Sequence, residues 1–243
     1  MARVVFFNIP ARGHTNPTLP YVGELVRRGE GVVYYSVEAF KDDIEATGAV
    51  FRSYGDAIHR DPDYAPTNFM LLARWVMEDS NAILPSVLDD IRREQPDYII
   101  HDGLSYWGKI ISRLLNVPAI SSITTFGFSP ASLLTCPRFG LDLARMVPRG
   151  LSSAFACHRL GRQLRARYKV PHTSMFGLLN NTEDLNIVFT ARAFQPGEHA
   201  FGENYKFVGP SIPSRSESSQ MPFEGVGDGP LVYVSLGTVT NHR

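Results

Sequence analysis

The chain has 243 residues, 44% of them hydrophobic, which suffices for one large domain or for one domain plus part of a second. Its 24 Lys and Arg balance 24 Asp and Glu, leaving no basic face of the kind a nucleic-acid partner requires. Two cysteines, Cys136 and Cys157, cannot build a disulfide framework, the opening "MARVVFFNIP" lacks the apolar core and cleavage site of a secretory signal, and no stretch reaches the roughly 20 apolar residues of a membrane span. The expectation is a cytoplasmic protein without stable membrane association.

In chain order, "RVVFFN" (3–8) reads as a buried strand. After a loop, a helix is expected from Pro17 to Arg28, with Leu19, Val22 and Val26 on one face. Pro17 and Pro20 fit there if they fall in the first turn, whose N–H groups have no intrahelical partner, and Gly29 suits the C′ position. "GVVYYS" (31–36) is a second strand, "VEAFKDDIEATG" (37–48) a helix and "AVFRSY" (49–54) a third strand. "DAIHRDPDYAPTN" reads as a loop and "FMLLARWVME" as a helix. Leu84, Val87, Leu88 and Ile91 mark another helical face, with Pro85 near its start or kinking it. "DYIIHD" (97–102) is the fourth strand, and the spacing of Trp107, Ile110, Ile111 and Leu114 predicts a helix directly behind it. "PAISSI" (118–123) is the fifth strand.

From 124 to 182 the pattern loosens into loops and helices with an apolar wall that includes Phe126, Phe128, Phe139, Met146 and Phe155. "LNIVFT" (185–190) and "YKFVG" (205–209) are late strands. Residues 210–230, rich in Pro, Ser and Gly, read as an interdomain linker, and "LVYVSLGTVTNHR" (231–243) as a strand and turn opening a second domain. With its sheet absent, that strand is expected to be an exposed, aggregation-prone edge. Residues 1–209 form the first domain, an α/β doubly wound parallel sheet of Rossmann-like type.

In such a sheet the first and fourth strands lie side by side where the winding reverses, and ligands bind at their C-terminal ends. His14 follows strand one and Asp102 ends strand four. A carboxylate beside an imidazole is a base-and-orienter pair: it fixes the tautomer and balances the imidazolium. The helix start disfavours a charged His14, while Asp102 favours it. On spacing alone other readings stay open: His14 as a polar helix start, Asp102 as a cap for the next helix. His101 alternates with Asp102, faces the other way and reads as structural; His59, His158, His172, His199 and His242 have no partner at a strand end. The dinucleotide fingerprint is missing, since the first loop holds only Gly13, which leaves a nicotinamide-dependent oxidoreductase a distant reading. "GLSYWG" fails as a nucleophile elbow because Trp107 stands where Gly is needed, and no zinc spacing or P-loop is present.

"RGHTNPTLPYVGELVRRGEGVVYYS", "PDYIIHDGLSYWG", "FVGPSI" and "PLVYVSLGTVTN" occur in that order and resemble the family 1, GT-B-fold UDP-glycosyltransferases of the bacterial macrolide and flavonoid type. The resemblance implies an inverting transfer of sugar from a UDP-sugar to a hydroxyl of a small apolar acceptor, without metal or other cofactor. His14 would be the general base and Asp102 its orienting partner. Trp75, Trp107, Phe126 and Phe128 are the candidate acceptor contacts, and Gly13, Gly237 and Thr238 the candidate donor contacts. The family's C-terminal domain would then be represented only by its first strand, so the chain alone is expected to be poorly active or inactive. The alternative is a binding module without chemistry.

Overall fold

β-Branched and aromatic residues dominate the short apolar runs and pair into one seven-stranded, all-parallel sheet in the order β3-β2-β1-β4-β5-β6-β7. The computed structural model describes residues 1–58, 68–129, 137–211 and 232. The strands are β1 (Arg3–Phe7), β2 (Gly31–Ser36), β3 (Val50–Ser53), β4 (Tyr98–Asp102), β5 (Ala119–Ile123), β6 (Leu185–Val188) and β7 (Tyr205–Phe207). Between them run α1 (Arg12–Arg27), α2 (Lys41–Glu45), α3 (Phe69–Glu94), α4 (Tyr106–Leu115), α5 (Pro137–Tyr168) and α6 (Met175–Leu178). Among the described residues no helix is long and apolar enough to cross a membrane.

Strand alternation sorts the core onto two faces. Val4 and Phe6 pack with Val22 of α1 and Ile44 of α2, whereas Val5 and Phe7 pack with α3, α4 and α5. β1 is central, pairing Phe7 with Tyr35 on one side and His101 on the other. α4 lies unusually close to this sheet because residue 108 is glycine. A Cβ there would stand 2.5 Å from His101 Cβ and 3.2 Å from Phe7 Cβ.

Three helices differ from expectation. α1 begins at Arg12, not Pro17, because the extended Ala11 offers its carbonyl to the N–H groups of His14 and Thr15 at 2.9 and 2.8 Å. Pro17 and Pro20 therefore stand inside the helix, and two turns there lack a backbone donor. The other end follows expectation: Gly29 (φ +89°) and Glu30 donate to Val26 O and Leu25 O, the paired bonds of a Schellman stop. The two helices expected across 69–91 are one helix, α3, with Pro85 inside it. Its buried stripe runs without interruption from Ala73 through Ile83 and Val87 to Ile91, so burial outweighs the lost proline hydrogen bond. The loosely patterned 124–182 region holds the 32-residue α5, which lies along α3: Cys157 Sγ reaches Ala73 O at 3.8 Å, and Gly150 abuts Met70. Cys157 is a buried free thiol that burial pushes up to about 11. The linker segment 212–230, the strand at 231–243 apart from Val232, and Cys136 lie outside the described residues.

Candidate active site

The chain leaves β1 at Phe7 and enters α1 four residues past Asn8, which places His14 in the first turn of the helix, at the C-terminal edge of the sheet. A buried polar cluster fixes that turn. Asn8 Nδ2 donates to Tyr34 Oη at 2.7 Å and to Thr15 Oγ1 at 3.4 Å, while the Thr18 and Tyr34 hydroxyls lie 2.8 Å apart. Tyr34 is itself held by stacking on Phe6, with ring centroids 4.7 Å apart. The helix that carries the histidine is thereby tied to β1 and β2.

Asp102, at the end of β4, meets this histidine directly. His14 Nδ1 lies 2.8 Å from Asp102 Oδ2; the imidazole side chain is 17% exposed and the carboxylate 1%. An ionised carboxylate only accepts, so Nδ1–H is the donor and the Nε2 lone pair is left open. No partner of Nε2 is found among the described residues. The second carboxylate oxygen, Oδ1, takes the Leu104 N–H at 2.8 Å. Asp102 does not cap the following helix, whose N-cap is Ser105; one of its oxygens holds the turn before α4 and the other holds the imidazole. Burial pulls the His14 pKa down most strongly, but the charge of Asp102 and its hydrogen bond together outweigh it, and the net shift is upward.

Thr124, just past β5, is a third member that sequence reasoning did not single out. Its Oγ1 stands 2.9 Å from His14 Nδ1. β5 neighbours β4, with Ser122 opposite Asp102, so the end of β5 reaches the same edge of the sheet. Strand order was the signal that could have found it. His101 faces the opposite way, packed against α4, and is fully buried. Its Nε2 lies 3.0 Å from Glu183, which also meets Lys109 at 3.1 Å. Burial pushes the Glu183 carboxyl up, but His101 and Lys109 win and hold it below the usual carboxylate range; for Lys109, burial prevails and lowers the ammonium pKa. This pairing anchors the segment entering β6 to the back of β4.

The expected aromatic contacts divide. Phe126 is 39% exposed, two residues beyond Thr124, and its ring lies 5.6 Å from that of Phe194, a residue the sequence reading had passed over. Gln195 clamps the intervening backbone, accepting from Gly127 N at 2.9 Å and donating to Gly127 O at 3.0 Å. Phe128 is half-buried, and its carbonyl accepts from Asn180 Nδ2. Trp75 is half-buried on α3. Trp107 is a correction. It is fully buried in the core with Nε1–H on Tyr54 Oη at 3.2 Å, and it presents no surface to a ligand.

No family model matches the chain. Curated relatives and solved structures do. The chain is 31% identical over its whole length to the uncharacterized UDP-glucosyltransferase YdhE of Bacillus subtilis, covering 60% of that protein. It is 28% identical over 98% of its length to the oleandomycin glycosyltransferase of Streptomyces antibioticus, covering 54% of it. Among solved structures, the glycotransferase of kitacinnamycin superposes with a TM-score of 0.73 at 21% identity, over 90% of this chain and 54% of that one. The calicheamicin glycosyltransferase CalG4 gives 0.67 at 24% identity, over 86% and 53%.

The chain is therefore similar in sequence to bacterial glycosyltransferases and shares the fold of the glycosyltransferase structures it superposes on. It spans about 60% of the length of the first curated glycosyltransferases it matches. Of the residues expected to serve such a glycosyltransferase, His14 and Asp102 meet at one edge of the sheet, and Gly13 precedes His14 in the first turn of α1. Gly237 and Thr238 lie outside the described residues.

Proposed function

We propose that this chain carries the acceptor-binding and proton-accepting half of an inverting glycosyltransferase, moving a sugar from a UDP-sugar to a hydroxyl of a small apolar acceptor of the macrolide or flavonoid class. The observation that carries the reading is the buried His14–Asp102 pair with its open Nε2. The names of the curated relatives, a UDP-glucosyltransferase and an oleandomycin glycosyltransferase among them, support the donor and acceptor classes.

In this reading His14 Nε2 takes the proton of the acceptor hydroxyl while Asp102 balances the imidazolium. The acceptor oxygen bonds to the anomeric carbon from the face opposite the departing group, the bond to the nucleotide breaks and UDP leaves with the electron pair. The step uses no metal and no cofactor besides the nucleotide sugar. Phe126, with Phe194 beside it, provides an apolar wall for the acceptor. In this reading His14 supplies the base and Gly237 and Thr238 would contact the donor phosphates from a second domain, so the chain alone would turn over little.

The test joins the chain to the remaining portion of its B. subtilis relative and measures UDP release with phenolic acceptors. His14→Ala should lower turnover by about 10²–10⁴-fold, the usual contribution of a general base, with UDP-sugar binding retained. Unchanged turnover would refute the base assignment, and robust turnover by the chain alone would refute the division of labour.

A further inference from the structure

On the face of the sheet away from α1, a cavity of about 210 Å³ opens between α3, the start of α4, the second half of α5 and the segment 170–174. It shares no lining residue with the His14–Asp102–Thr124 site. Its floor is apolar, made by the buried side chains of Met77, Leu164, Val170 and Leu178. Its rim carries Arg165, His158 and His172, and no aspartate or glutamate lines it. Tyr106 and Thr173 also line it.

An apolar floor beneath a rim that carries Arg165, His158 and His172 and no acidic side chain is complementary to one kind of ligand: an anion joined to a small hydrophobic body. The volume sets the body's size. A dry cavity of about 150 Å³ accommodates benzene, so this one takes a single ring with a short arm. Arg165 gives the anion a charged partner, since its planar fork matches a carboxylate in two bonds. Cys157 belongs to the floor as a small apolar group; burial keeps its thiol protonated and unreactive. We propose that this cavity is a second small-molecule site, specific for monocyclic aromatic carboxylates. Tyr106 opens α4 directly behind the Gly103–Ser105 turn that Asp102 Oδ1 holds, so an occupant packs against the element that anchors the acid of the first site.

Calorimetry on the chain with three probes of one shape tests this: 3-phenylpropanoate, its neutral amide and 3-phenylpropylamine. The acid should bind tightest and the amine weakest. Arg165→Gln should weaken the acid about tenfold, the worth of one charge-assisted hydrogen bond, and leave the amide unchanged. Gly161→Leu tests the location. A Cβ at Gly161 meets only Met77 Cε, at 3.5 Å, so the larger side chain can occupy the cavity and should abolish binding of all three. If Gly161→Leu does not fold, Arg165→Gln decides alone. His14→Ala should leave every affinity unchanged. Equal affinity for acid and amine, acid binding indifferent to Arg165→Gln, or loss of binding in His14→Ala would overturn the assignment.

Discussion

His14 is buried enough to lose charge and paired closely enough to keep it, and the pairing prevails. A base with a raised pKa is competent only above that pKa, so kcat/KM of the joined enzyme should rise with pH along a limb lying above about 6.5, the ordinary histidine value. Asp102→Asn removes the charge that lifts the pKa. Its limb should move to lower pH while the plateau falls by about 10²-fold or more, because the neutral amide no longer stabilises the imidazolium. A plateau unchanged by Asp102→Asn would separate Asp102 from the chemistry. His14 and Asp102 were legible in the sequence because strand order alone brings the ends of β1 and β4 together. Thr124 was not: a threonine after a strand has no motif, and its meaning depends on β5 lying beside β4. Trp107 was misplaced for a different reason. It belongs to the same stripe as Ile110 and Ile111, and that periodicity, correctly read as helical, already marked it as core.

At the level of elements, the strands were legible and the helix ends less so. Apolar runs bounded by turn residues define strands well, whereas α1 starts where the Ala11 carbonyl can receive two N–H groups, a tertiary matter that proline positions do not reveal. α5 escaped because a 32-residue helix with an internal Pro148, exposed Leu151 and Phe155, and glycines at its contacts with α3 carries a weak periodic signal. Two substitutions probe how the elements hold the site. Gly108→Ala places a methyl 2.5 Å from His101 Cβ, with Phe7 also in the way, and should destabilise the fold by about 1–3 kcal/mol in urea unfolding. Tyr34→Phe deprives Asn8 and Thr18 of a buried partner and should cost about 1–3 kcal/mol by the same measurement. Wild-type midpoints would show that α4 can retreat, or that the cluster beneath α1 is replaceable.

At the scale of the molecule, the seven parallel strands among the described residues, with helices on both faces, place the histidine–aspartate pair at the winding reversal between β1 and β4. The doubly wound class was readable from the alternation of runs; the long paired helices above one face were not, since they depend on packing between α3 and α5. The buried pair also leaves a mark on global stability. A histidine whose pKa is raised in the folded state stabilises it fully below the unfolded value, about 6.5, and that contribution disappears as pH rises through the folded pKa. His14→Ala should therefore flatten the decline in urea stability on going from pH 6 towards pH 8.

The base assignment rests on one arrangement: proton on Nδ1, lone pair on Nε2, charge favoured by Asp102. A ¹⁵N-histidine NMR titration of the chain reads all of it. The prediction is that His14 shows the Nδ1–H tautomer when neutral, titrates above the ordinary histidine value, and titrates lower in Asp102→Asn. An Nε2–H tautomer, or a pKa indifferent to Asp102→Asn, would contradict it.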